Sequence, residues 1–139
     1  MRDIPARSGT AAVLAILVLL GGCSGDSSDG GPAGPDVADF SAGTCRQAAP
    51  DVLDLARQVD ALGKEPRVPD EAKAAMRATQ SRLLTASEQA AGSERAELEG
   101  LVRSVGLLRL RADGNTYEPF LGDDVRAARA RVISTCTSG

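Results

Sequence analysis

From Cys45 to the C-terminus, apolar residues recur at intervals of three and four, the spacing that places side chains on one face of an α-helix. Four such stripes follow one another. The first runs through Cys45, Val52, Leu55, Ala56, Val59 and Leu62 and meets a stop at Gly63, with Pro50 either starting the main helix or kinking it. The second opens on Pro69-Asp70-Glu71, a proline and two acids suited to a helix N-terminus. It carries Ala72, Met76, Thr79, Leu83 and Ala86 on one side as far as Gly92. Ser93, Glu94 and Glu97 open the third, which aligns Leu98, Leu101, Val102, Val105 and Leu108 before Asp113-Gly114-Asn115. The fourth begins between Pro119 and Asp124 and aligns Leu121, Val125, Ala128, Val132 and Cys136. No segment shows the strict alternation of a half-buried strand. Four amphipathic helices of similar length, joined by short polar turns, predict an all-α fold, a small antiparallel four-helix bundle over residues 44–139.

The pattern upstream is different. Residues 23–43 are rich in Gly, Ser, Asp, Ala and Pro with almost nothing to bury, which predicts a flexible acidic linker. A coil of roughly 20 such residues spans about 25 Å root-mean-square. Before it, Arg2 and Arg7 precede an apolar run from Ala11 to Leu20 that ends in small residues, the tripartite form of a secretory signal over residues 1–22. The run is about half of the ~20 residues needed to cross a bilayer, so a permanent span is not expected.

The junction Leu20-Gly21-Gly22-Cys23 resembles the lipobox of bacterial lipoproteins, and with the composition it is similar to small lipoproteins of actinobacterial type. The resemblance covers the first 23 residues or so. It implies that the Cys23 thiol receives a diacylglyceryl group, that the chain is cut between Gly22 and Cys23, and that the domain is held on the outer face of the cell membrane. The chain has three cysteines. Committing Cys23 to lipid leaves Cys45 and Cys136, in phase with the first and fourth stripes, as a single pair in a compartment where disulfides persist. In an up-down-up-down bundle the two lie at the same end.

Composition narrows the chemistry. With no His and no Trp in the chain, neither a Ser-His nor a Cys-His pair can be assembled, and His-containing zinc sites are excluded. From Cys45 onward fourteen basic residues face fourteen acidic ones, and a near-neutral domain lacks the electrostatic footprint of a nucleic-acid binder. Asp113-Gly114-Asn115 lacks the acid spacing of a calcium loop and is expected to be a helix stop. Glu118, Asp123 and Asp124 are expected to serve the dipole of the fourth helix rather than acid-base catalysis. Arg103, Arg109, Arg111, Arg126, Arg129 and Arg131 concentrate positive charge in the last two helices, but interspersed acids predict an ion-paired face.

Leu107 and Leu110 fall off the third stripe and, with Tyr117 and Phe120, form a candidate apolar partner surface. Gly100 and Gly106 are expected to weaken the third helix while permitting a neighbouring backbone to approach. No catalytic residue, metal or cofactor is expected. The reading is a membrane-anchored, extracytoplasmic, non-catalytic module that binds or organises another envelope protein. The alternative is a carrier of a small apolar or amphiphilic ligand held between the helices.

Overall fold

Each of the four stripes becomes the inner face of a helix in the computed structural model, which describes residues 34–138. The helices are α1 (Thr44–Asp60), α2 (Asp70–Gln89), α3 (Gly92–Asp113) and α4 (Pro119–Thr137). The expected signal segment, Gly22, Cys23 and the first part of the linker lie outside the described residues. Each helix packs on its neighbours in sequence, and α1 closes the ring against α4. Lateral pairs give the directions. Asp51 meets Arg82 across α1 and α2, Arg77 meets Asp113 across α2 and α3, Glu97 meets Arg131 across α3 and α4, and Asp60 meets Arg126 across α1 and α4. Every adjacent pair is therefore antiparallel, giving the up-down-up-down bundle that the stripes predict.

The interior is aliphatic. Val52, Leu55, Leu83, Leu98, Leu101, Val105, Leu108, Val125 and Val132 are fully buried, and Ala48, Ala49, Ala112 and Ala128 fill the narrower gaps between helices. Two rings, Phe40 and Tyr117, join this cluster. One polar cross-tie runs through it: the amide of buried Gln58 donates to Thr79 Oγ1 at 2.8 Å and to Asp54 Oδ2 at 2.8 Å, linking α1 to α2. Arg82 reinforces the same seam with a forked contact to Asp51, at 2.7 and 2.9 Å to Oδ1 and 3.1 Å to Oδ2. On the other side of α1, Arg129 of α4 donates to the Val52 carbonyl at 2.7 Å.

The helix ends follow local chemistry. α1 begins at Thr44, behind Gly43 at φ 91°, and continues through exposed Pro50, so the proline lies inside the helix rather than at its start. α3 closes as the Asp113-Gly114-Asn115 sequence predicts. Asn115 adopts the left-handed conformation at φ 54°, while its N–H reaches the Ala112 carbonyl and that of Thr116 reaches the Arg111 carbonyl, the paired bonds of a Schellman stop. Pro119 occupies the first turn of α4, where its missing N–H costs nothing.

The Cys45–Cys136 disulfide forms at the pole where α1 starts and α4 ends, with Cα atoms 5.5 Å apart. Its loop spans 91 positions, and in the chain-entropy account closing a loop of that length stabilises the fold by about 4 to 5 kcal/mol.

Two expectations about the chain outside the stripes are corrected. The last residues of the expected linker are part of the domain. Asp36 and Asp39 cap a 3-10 turn at Val37–Asp39, Phe40 is 1% exposed, and the Ser41 N–H donates to the Cys136 carbonyl at 2.8 Å. Arg46 clamps the Phe40 carbonyl at 2.8 and 3.1 Å. A single large ring is enough to draw an otherwise polar segment onto the core, because its burial outweighs the ordering of a few small residues. The second correction concerns the α3 glycines. An added Cβ at Gly100 meets nothing within 4 Å, and at Gly106 it meets only the side-chain end of Gln80. The close approach belongs instead to Gly122 on α4, where a Cβ would lie 2.9 Å from Val59 Cγ1 and 3.1 Å from the Tyr117 hydroxyl.

Candidate interaction surface

An α-helix that buries Leu101, Val105, Leu108 and Ala112 must turn positions 107 and 110 away from the core, and both leucines are exposed, Leu107 at 46% and Leu110 at 65%. Phe120, in the first turn of α4, is 55% exposed. Leu107 also lines a shallow groove between α3 and α4, of about 230 Å³, whose other walls include Leu121 and whose rim carries Arg103, Asp124 and Arg131. Its lining combines apolar side chains with charges of both signs.

Tyr117, expected on the same surface, is not there. It is 3% exposed, because the turn after the α3 stop folds it inward against Val59 and the bare backbone of Gly122. Burial raises the pKa of its phenol, an effect that the nearby Arg126 guanidinium partly opposes and Asp123 reinforces. Leu84 on α2, 47% exposed, was not singled out by the sequence, although the test that found Leu107 applies to it equally: it falls beside the Met76, Leu83, Ala86 stripe rather than on it.

The arginines of the last two helices are largely committed. Arg126 spans Asp60 at 2.7 Å and Asp123 at 2.9 Å, Arg131 meets Glu97 at 3.3 Å, and Arg109 reaches Asp113 at 4.0 Å. Arg129, partly buried, is held by a carbonyl, and desolvation lowers its pKa. Among the described residues, Arg103 and Arg111 form no ion pair. Three of the six are therefore ion-paired, which meets the expectation of an ion-paired face in part.

At the pole opposite the disulfide, the end of α1, the start of the following loop and the first turns of α4 enclose a second depression of about 340 Å³. Asp60, Lys64, Tyr117, Asp123 and Arg126 border it. The Arg126 guanidinium lies between two carboxylates; the hydrogen bonds to Asp60 and Asp123 and their negative charge raise its pKa further.

Among the described residues, no group of three or more His, Cys, Asp or Glu side chains is arranged to hold a metal ion, and no helix is long and apolar enough to cross a membrane. Compared with protein-family models, curated proteins and solved structures, the chain matches none.

Proposed function

We propose that this chain is a lipid-anchored, extracytoplasmic interaction module, fixed to the membrane through Cys23, that binds another envelope protein through the outer face of α3 and the start of α4. The observation that carries the binding role is the exposure of Leu107, Leu110 and Phe120 on α3 and the start of α4, with Leu107 also lining a groove of apolar and charged side chains. Leu107 and Leu110, three positions apart, lie on the same face of α3, and exposed apolar side chains grouped among polar ones mark an interaction site. The anchor rests on the lipobox resemblance and on the cysteine arithmetic, which assigns one thiol to lipid and two to a bridge. A carrier would need apolar space between the helices, and the densely filled aliphatic interior favours the interaction reading.

Cross-linking of the tagged protein in intact cells, followed by affinity capture, tests the reading. The expected result is a discrete co-captured protein with the wild type and its loss in a Leu107→Ser, Leu110→Ser variant that melts as the wild type does. Capture of the same protein by both forms would move the contact elsewhere, and capture of none would remove the interaction role. Separately, incorporation of a labelled fatty acid that disappears on Cys23→Ala tests the anchor.

A further inference from the structure

The depression at the pole opposite the disulfide has features that packing does not require. Tyr117 is the one tyrosine of a chain without tryptophan, and it is almost completely buried, yet among the described residues its hydroxyl makes no hydrogen bond. Its ring is packed, while the hydroxyl itself reaches the depression and is free to bond what enters it. Its place depends on Gly122: the hydroxyl lies where a Cβ at that position would touch it, so the helix forgoes a side chain at the point where the tyrosine head group meets the backbone. Arg126 Nη1 lies 3.6 Å from the same Cβ position, which brings the guanidinium to the hydroxyl's side of the depression.

The charges around it are arranged as a closed set. Arg126 uses Nη2 on Asp60 Oδ1 at 2.7 Å and Nη1 on Asp123 Oδ1 at 2.9 Å. Each carboxylate keeps its second oxygen as a free acceptor. Lys64, which also lines the depression, has no ion pair among the described residues and offers three donors. Two cations balance two carboxylates, so an anion entering the depression meets Asp60 and Asp123, and a cation meets Arg126 and Lys64. The ligand with no such penalty is neutral and carries groups that both donate and accept. Neighbouring hydroxyls on one carbon frame do this, each giving a proton to a carboxylate oxygen while accepting from the ammonium or the phenol. The volume of about 340 Å³ lies at the small end of ligand sites.

We infer that this depression is a binding site for a small neutral polyhydroxylated ligand, the chemistry of a single sugar unit, with Tyr117, Lys64 and the Asp60–Arg126–Asp123 cluster as its polar contacts. The site is separate from the α3–α4 face, and the failure of either proposal leaves the other standing.

The test uses the full chain, disulfide intact, in a zwitterionic detergent free of sugar head groups. Because Tyr117 is the sole tyrosine and there is no tryptophan, intrinsic fluorescence reports this site alone. Methyl glucoside is the probe, with inorganic phosphate and methylammonium as charged comparisons. The expected result is a saturable change with methyl glucoside and none with either ion over the same range. Saturation transfer from protein to the probe's methyl protons should weaken about fivefold in Tyr117→Phe, the loss of one hydrogen bond. Lys64→Met, an exposed change that leaves the core untouched, should weaken it similarly and serves as the variant of record should Tyr117→Phe fail to fold. Absence of saturation by methyl glucoside, tighter saturation by phosphate or methylammonium, or wild-type transfer in a folded Tyr117→Phe or Lys64→Met protein would each overturn the inference.

Discussion

Two glycines in neighbouring helices have opposite roles, and the difference is set by what a single methyl group would meet. At Gly100 it would meet open space, so Gly100→Ala should stabilise the domain by about 1 kcal/mol, the helix-propensity difference alone. At Gly122 it would press on the buried Val59 side chain and on the Tyr117 hydroxyl at the edge of the depression, and Gly122→Ala should destabilise by about 1 to 3 kcal/mol. Urea denaturation of the two variants checks both signs, and equal shifts would contradict the packing described for α4. Asp54 gives a pH signature at the same scale. Hydrogen bonds from Arg57 and then Gln58 hold its carboxyl below the ordinary value of 3.8. A carboxylate with a depressed folded pKa contributes stability that is present above its unfolded pKa and is lost as pH falls through the folded one. The wild type should therefore exceed Asp54→Asn in stability at neutral pH, and the two stabilities should converge as pH falls below the ordinary carboxylate range. Parallel curves down to the acid limit would refute this. None of these contacts was legible in the sequence. Gln58 stands at a core position between Leu55 and Leu62, but nothing in its spacing indicates that Thr79 lies opposite it. Tyr117 follows a turn whose direction depends on the left-handed Asn115, and a residue three places from a polar helix stop reads as exposed.

At the scale of the element, the helices were the most legible part, because each has an interior stripe, α2, α3 and α4 have an acidic or proline-marked start, and α1, α2 and α3 are followed by a glycine or asparagine. Their limits in the structure fall within a few residues of those signals. Pro50 is the informative exception. Thr44, Cys45, Ala48 and Ala49 were available to extend α1 backwards, and burial of Cys45, Ala48 and Ala49 against the core outweighs the one backbone hydrogen bond that the proline removes. The segment before α1 was misread for the converse reason: composition averaged over residues 23–43 hid one aromatic side chain. Phe40→Ala should destabilise the domain by about 3 to 5 kcal/mol, whereas Ala38→Ser, two residues earlier and exposed, should leave it unchanged. A comparison of their melting transitions decides whether this segment belongs to the cooperative unit, and similar values for both would return it to the linker.

For the whole molecule, the topology followed from helix order and short turns, while the closure of α1 on α4 needed the positions of the two cysteines. Breaking the bond tests how far the fold depends on it. Cys45→Ser, Cys136→Ser protein should lose about 4 to 5 kcal/mol relative to the oxidised form, seen as a lower urea midpoint with an unchanged helical spectrum in the absence of denaturant. A loss below about 1 kcal/mol would mean that the unfolded chain already keeps its ends together. The bond has a second consequence, which concerns covalent integrity rather than equilibrium. Positions 45 through 136 form one closed ring that includes all three interhelical turns. A protease that cuts the exposed stretch from Gly63 to Arg67 therefore opens the ring without dividing the molecule: both pieces remain joined through sulfur, and the bundle stays a single body until a reductant reaches the buried bridge.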